Sequence, residues 1–155
     1  MQSSPLSSLQ VMSWSRKDGY TLSTDQDRID LEVLADFLKN DAYWSNGLPE
    51  AVLKRALAGS LVMGVYTPDG RMVGFARLVT DCAVFAYLRD VFVLPMERGK
   101  GLAVWMARQI RDHPDLATIS TWMLATKDAH QVYKKAGYRP VKHPEWYMTV
   151  PKHDL

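Results

Sequence analysis

The 155 residues carry nineteen Lys and Arg against seventeen Asp and Glu, a net charge of +2, with 47% hydrophobic and 23% charged side chains. This is the balance of an ordinary globular chain, and it argues against disordered, collagenous and membrane-spanning classes and against a dedicated nucleic-acid binder. A chain of this length buries about 68 to 70% of its unfolded surface, enough for one core without a disulfide or structural metal, and Cys82, the single cysteine, has no thiol to pair with, which fits a reducing, cytoplasmic location.

Residues 1–18 are Ser-rich and lack the ~7 to 15 residue apolar region of a secretory signal, so they read as a frayed arm ahead of one domain over residues 19–155. Residues 19–23 predict a short strand with Tyr20 and Leu22 on one face. Ile29, Val33, Leu34 and Phe37 recur at the spacing of one helical face, with Asp25 or Asp27 placed to cap it. The loop that follows combines turn residues with two adjacent aromatics, Tyr43 and Trp44. Pro49 suits the first turn of a second helix, whose apolar face is Val52, Leu53, Ala56 and Leu57 and which Gly59 stops.

Residues 61–66 and 71–79 predict two strands around the turn Thr67-Pro68-Asp69-Gly70, a hairpin. Residues 83–93 form a long apolar run with one acidic residue, Asp90, and should lie centrally in a sheet. The longest unbroken apolar stretch, 82–88, is far below the roughly 20 residues that cross a bilayer. A helix with Leu102, Trp105, Met106 and Ile110 on one face then ends at His113-Pro114. A strand over 117–124, a short helix over 128–136 closed by Gly137 and a last extended pair over 138–150 complete the chain.

Arg98-Gly99-Lys100-Gly101-Leu102-Ala103 stands where the central strand hands over to a helix. The unpaired amides of a helix's first turn attract an anion, glycines let backbone approach a diphosphate, and Arg98 and Lys100 add charge. Val at position 101 is expected to put a β-carbon and two methyls in the diphosphate's space. A tight packing turn that binds nothing is the other reading. Two nucleotide loops fail on spacing: Gly101, not Ser or Thr, follows Lys100, and Val104 occupies the place of the third glycine in the dinucleotide fingerprint.

The segment from Val93 to Ala103 resembles the acetyl-coenzyme A motif of the GNAT superfamily of N-acetyltransferases, Arg/Gln-x-x-Gly-x-Gly/Ala after a Val-x-Pro strand end, with Arg98, Gly101 and Ala103 in register. About a hundred residues follow the family's order, and 126–138 resembles its last block through Ala129, Tyr133, Gly137 and Tyr138. Thr126 stands where the family often has a cofactor-contacting Asn. The resemblance implies an α/β domain with a central mixed, mostly antiparallel sheet of six or seven strands, splayed at the cofactor site, and about four helices on both faces. It implies a bulge near Val91, Phe92 and Val93 whose backbone faces the thioester. The cofactor residues it implies are Val91 to Val93, Arg98 to Ala103 and Thr126, with acetyl-CoA as cosubstrate and no metal.

Acetyl transfer to an amine needs a neutral nucleophile, a stabilised oxyanion and a proton for the departing thiolate. Tyr133 is the candidate acid, although Ala129, Val132, Tyr133 and Ala136 share one apolar face and a core tyrosine would fit there too. Asp90 is the candidate catalytic carboxylate, with a structural ion pair to Arg77 or Arg89 as the alternative. Tyr43 and Trp44 are candidates to line the acceptor pocket. Lys134, Lys135, Arg139 and Lys142 are either a solvated face or a contact for a cofactor phosphate. The resulting expectation is an N-acetyltransferase acting on a primary amine of a small molecule or peptide, without nucleic-acid or membrane partners and with a homodimer left open. The rival is a non-catalytic acyl-CoA-binding or sensing module.

Overall fold

The computed structural model describes residues 4–43 and 45–151. Six strands form one sheet in chain order: β1 (Ser13–Ser15), β2 (Thr21–Ser23), β3 (Leu61–Tyr66), β4 (Met72–Thr80), β5 (Phe85–Val93) and β6 (Thr121–Leu124). The first five are antiparallel to their neighbours and β6 runs parallel to β5. The helices are α1 (Leu31–Asn40), α2 (Glu50–Ala58), α3 (Leu102–Arg111) and α4 (His130–Lys135).

Each face of the sheet buries its own core. On one face Met63, Val65, Val73, Leu78, Ala86 and Leu88 pack with Leu102, Met106, Ala107 and Ile110 of α3. On the other, Val62, Tyr66, Phe75 and Phe92 meet Leu34, Phe37 and Leu38 of α1 and Leu53 and Leu57 of α2. Each fully buried Leu, Met or Phe adds about 1.5 to 3 kcal/mol. Among the described residues no helix is long and apolar enough to cross a membrane.

In the segment read from sequence as an arm, a short turn over Pro5–Ser8 precedes β1, the Gln10 N–H donates to Asp115 at 2.8 Å, and His113 Nε2 meets the Gln10 carbonyl at 3.0 Å. Three sequence expectations change. Helix α1 begins later and takes Asp30 as its cap, accepting from the Glu32 and Val33 amides, while Asp25 caps the short turn before it. Only Thr121–Leu124 of the 117–124 segment pairs. The extended pair over 138–150 is absent; the one regular element there is a short turn over Pro144–Trp146, and Trp146, Met148 and Val150 are exposed. These side chains have the composition of a strand, but no strand of the sheet pairs with them.

Candidate active site

Strands β5 and β6 pair from Phe85↔Thr121 to Leu88↔Leu124 and no further, although β5 runs on to Val93. The reason lies in β5. Its register against β4 changes between the Phe75↔Phe92 and Arg77↔Arg89 pairs, and Asp90 adopts a φ of +53°. One extra residue in a strand exchanges the faces of all that follow. Ala86 and Leu88 accordingly face α3, but beyond the bulge Val93 faces α3 and Phe92 turns to α1. Phe92 stacks on Phe37 with centroids 4.0 Å apart.

Past the last β5–β6 pair a cleft of about 680 Å³ opens, lined on the β5 side by Arg89 to Val93, on the α4 side by Ala125, Thr126, Asp128, Ala129, Val132, Tyr133 and Lys135, and at its end by Arg98, Gly99 and Gly101 to Val104. Most of the sequence candidates meet here. Gly99 and Gly101 hold φ of +79° and +73°, and Gly101 is the residue that opens α3. The left-handed region suits glycine, so both are required by the turn. The first amides of α3 thus end at the cleft, an arrangement that favours an anion. Arg98 folds back, its Nε donating to the Val93 carbonyl at 3.0 Å, and so ties the turn to the strand end.

Lys100 departs from the expected geometry. Its Nζ lies 2.5 Å from Glu97 Oε2 and 2.9 Å from the Tyr20 hydroxyl, which itself donates to the same carboxylate. Lys100 is absent from the cleft lining. The Lys100 pair holds Glu97 below the usual carboxylate range.

Tyr133 enters from α4, and its hydroxyl makes no hydrogen bond to the described residues. Burial, with smaller contributions from Tyr138, Tyr43 and Asp128, pushes its pKa well above the ordinary tyrosine value. Its ring meets Tyr138 edge-on at 6.0 Å, and burial pushes Tyr138 up to about 12. Asp90 accepts from Arg77 Nε at 2.9 Å, and Arg77 Nη1 reaches Ser60 Oγ at 3.0 Å, so the bulge is tied to the end of α2. Thr126 Oγ1 accepts from the Ala129 amide at 3.0 Å, shaping the loop before α4.

Tyr43 lines the cleft from the loop after α1, and its hydroxyl accepts from the Lys127 amide across the opening at 3.0 Å. Trp44 lies outside the described residues. Of the basic run, Lys135 lines the cleft, whereas Arg139 donates to the Lys134 and Tyr138 carbonyls. Sequence reasoning missed Phe37, Tyr87, Arg89 and Asp128 in the lining. It also missed Arg108 and Arg111 of α3, which cap the last carbonyls of α4 by donating to Lys135 and Ala136. The first group carries no local motif, and the arginines read as an ordinary polar helix face. Among the described residues no group of three or more His, Cys, Asp or Glu is placed to hold a metal ion.

The family model described as an acetyltransferase (GNAT) domain matches residues 59–140. A crystal structure from Xanthomonas campestris pv. campestris, described as an acetyltransferase of the GNAT family, is 38% identical and superposes with a TM-score of 0.81 over 88% of this chain and 95% of that one. A Gibberella zeae protein named as an acetyltransferase is 28% identical over 79% of each chain. A Clostridium acetobutylicum acetyltransferase solved with acetyl-CoA shares the fold at a TM-score of 0.63 and 15% identity, covering 93% of this chain and 99% of its own.

Proposed function

As the chain belongs to the GNAT acetyltransferase family, and is therefore an acyltransferase, we propose that it moves the acetyl group of acetyl-CoA to a primary amine of a small molecule or peptide by direct attack. The observation that carries this reading is the meeting, in one cleft, of the α3 N-terminus behind two left-handed glycines with a tyrosine hydroxyl that has no partner among the described residues.

The residues present fit acetyl-CoA, which supplies the acetyl thioester. Arg98, Gly99, Gly101, Leu102 and Ala103 would hold its diphosphate on the turn and the first amides of α3, with the Lys100 backbone completing the turn while its ammonium stays with Glu97 and Tyr20. The unpaired edge of β5 at Val91, Phe92 and Val93 leaves backbone groups for the extended pantetheine arm, in the place a further β5–β6 ladder would take. Thr126 and Lys135, which line the cleft, would flank that arm.

Burial raises the Tyr133 pKa above the ordinary tyrosine value, so the hydroxyl is protonated at neutral pH and can donate a hydrogen bond, or its proton, where sulfur becomes negative. Asp90 belongs to the same proposal. Its pairing with Arg77 supports the ion-pair reading, in which it fixes the bulge and water takes the amine's proton. Tyr43, with Trp44 beside it in sequence, lines the acceptor side. Enzyme titrated with coenzyme A should be stabilised by about 2.7 kcal/mol at a hundredfold excess over Kd, and a panel of amines and peptides should accelerate thiol release from acetyl-CoA. Thiol release that no amine raises above solvent hydrolysis would sink the amine assignment.

A further inference from the structure

The N-terminal hairpin reaches the glycine turn through one side chain. Arg16 Nη1 donates to the Lys100 carbonyl at 2.8 Å, while Nε and Nη2 of the same guanidinium lie 3.2 and 2.5 Å from the two Asp18 oxygens. The guanidinium carbon stands 5.1 Å from the Trp105 ring centre on α3 and 5.7 Å from that of Tyr20. With both ends of its fork engaged and aromatics beside it, this arginine is fixed, and its side chain keeps 24% exposure.

A trans peptide points its C=O and N–H in opposite directions. Drawing the Lys100 carbonyl towards Arg16 therefore turns the Gly101 N–H away from the hairpin, and Gly101 lines the cleft. That N–H has no acceptor among the described residues. The missing side chain of Gly101 agrees with this orientation: a Cβ placed there would have one neighbour within 4 Å, Arg16 Nη1 at 3.9 Å. The side-chain direction of residue 101 is thus the hairpin side. A Gly-Lys-Gly turn has little intrinsic preference between the two orientations of its peptides, because glycine accepts either sign of φ, so an external clamp decides between them. Lys100 supplies a second tie in the same direction through Tyr20 and Glu97.

We propose that Arg16 is a positioning residue for the acyl donor: by clamping the Lys100 carbonyl it orients the Lys100–Gly101 peptide so that the Gly101 N–H donates into the cleft, to the diphosphate. This rests on the reading of the cleft as the coenzyme A site. The segment whose composition suggests a frayed arm is then part of that site.

Arg16→Met keeps an apolar stem against Tyr20 and Trp105 and removes every donor. Its affinity for coenzyme A, measured by calorimetry, should fall about tenfold, the scale of one lost hydrogen bond to a charged group. Binding of pantetheine, which lacks the diphosphate, should stay within twofold by ligand-observed NMR. Arg16→Lys, with one donor able to reach the carbonyl, should recover part of the loss. The Gly101 amide proton should move downfield when coenzyme A is added to wild type and not when it is added to the Met variant. Equal coenzyme A affinity in wild type and Met variant overturns the proposal, as does an equal loss for coenzyme A and pantetheine. Should the Met variant not fold, a Lys variant with wild-type affinity and an unmoved Gly101 amide overturns it. Wild type that fails to bind coenzyme A removes the site reading itself, and that result appears before any variant is made.

Discussion

Arg77 Nε and Asp90 Oδ2 lie 2.9 Å apart, with side chains that keep 13% and 10% of their exposure, and this pair sits at the bulge from which the cleft opens. The relationship constrains what Asp90 can do. A carboxylate held by a largely enclosed guanidinium that also bonds Ser60 is placed to fix a left-handed residue inside a strand. Asn tolerates a positive φ nearly as well as Asp, so Asp90→Asn isolates the charge. The variant should lose about 1.5 to 3 kcal/mol, the value of a hydrogen bond to a charged group, seen as a Tm lower by roughly 3 to 12 °C. Well below that Tm its kcat should stay within about threefold of wild type. A loss of about 10² in kcat at unchanged Tm would identify Asp90 as the proton acceptor.

Gly101→Ala separates backbone strain from occupation of the phosphate space. At φ +73° an L side chain is strained by about 1 to 2 kcal/mol, while the added Cβ meets only Arg16 Nη1 at ordinary contact distance. The expected outcome is a Tm lower by about 2 to 8 °C with coenzyme A affinity within threefold of wild type. The expectation from sequence is for Val at 101, whose Cβ and two methyls would occupy the diphosphate's space, and Ala tests the Cβ alone. A tenfold loss of affinity at unchanged Tm would show that the Cβ already intrudes on the ligand.

What the sequence made legible was local. The β3–β4 hairpin, the faces of α2 and α3 and the glycine turn are written in residues within a few positions of one another, so periodicity and turn chemistry suffice. The site's supports are not local. Arg16 meets Lys100 across 84 residues, Gln10 meets Asp115 across 105 and Tyr43 meets Lys127 across 84, and none of these pairs leaves a pattern in either segment. Asp90 shows both sides of this boundary. A lone carboxylate in an apolar run marks the position, but the left-handed backbone and the exchange of faces after it follow from pairing with β4.

The Tyr43 hydroxyl accepts from the Lys127 amide across the mouth of the cleft, and Lys127 Nζ lies 5.6 Å from the tyrosine ring centre. Tyr43→Phe keeps the ring and removes the bridge. Because Tyr43 lies on the loop after α1 and is proposed to line the acceptor side, the variant should raise the acceptor KM about three- to tenfold and leave coenzyme A affinity unchanged, consistent with the loss of one hydrogen bond worth about 0.5 to 1.5 kcal/mol. Steady-state kinetics with a fixed, saturating acetyl-CoA concentration would check this. A parallel loss of coenzyme A affinity would instead make the bridge a support of the whole cleft.

Tyr133→Phe removes one oxygen from the cleft and gives opposite outcomes for an acid and for a core residue. A core tyrosine would have its hydroxyl bonded within the fold, and deleting that bond would cost stability but not rate. The Tyr133 hydroxyl has no such bond among the described residues, so Phe should leave Tm nearly unchanged. Burial raises its pKa, which has two consequences of opposite sign. The proton is retained through neutral and mildly alkaline pH, so an alkaline limb below about pH 10, the ordinary tyrosine value, should not come from this group. An ordinary tyrosine, at about 10, is already a weaker acid than a thiol of pKa ~8.5, and burial widens the gap, so complete transfer to the thiolate is uphill and its contribution is mainly a hydrogen bond to developing charge. The expected fall in kcat is therefore near the lower end of general-acid effects, about 10², with acetyl-CoA affinity retained and the pH profile below pH 10 unchanged in shape. Less than a threefold loss in kcat, where chemistry limits turnover, would end the assignment.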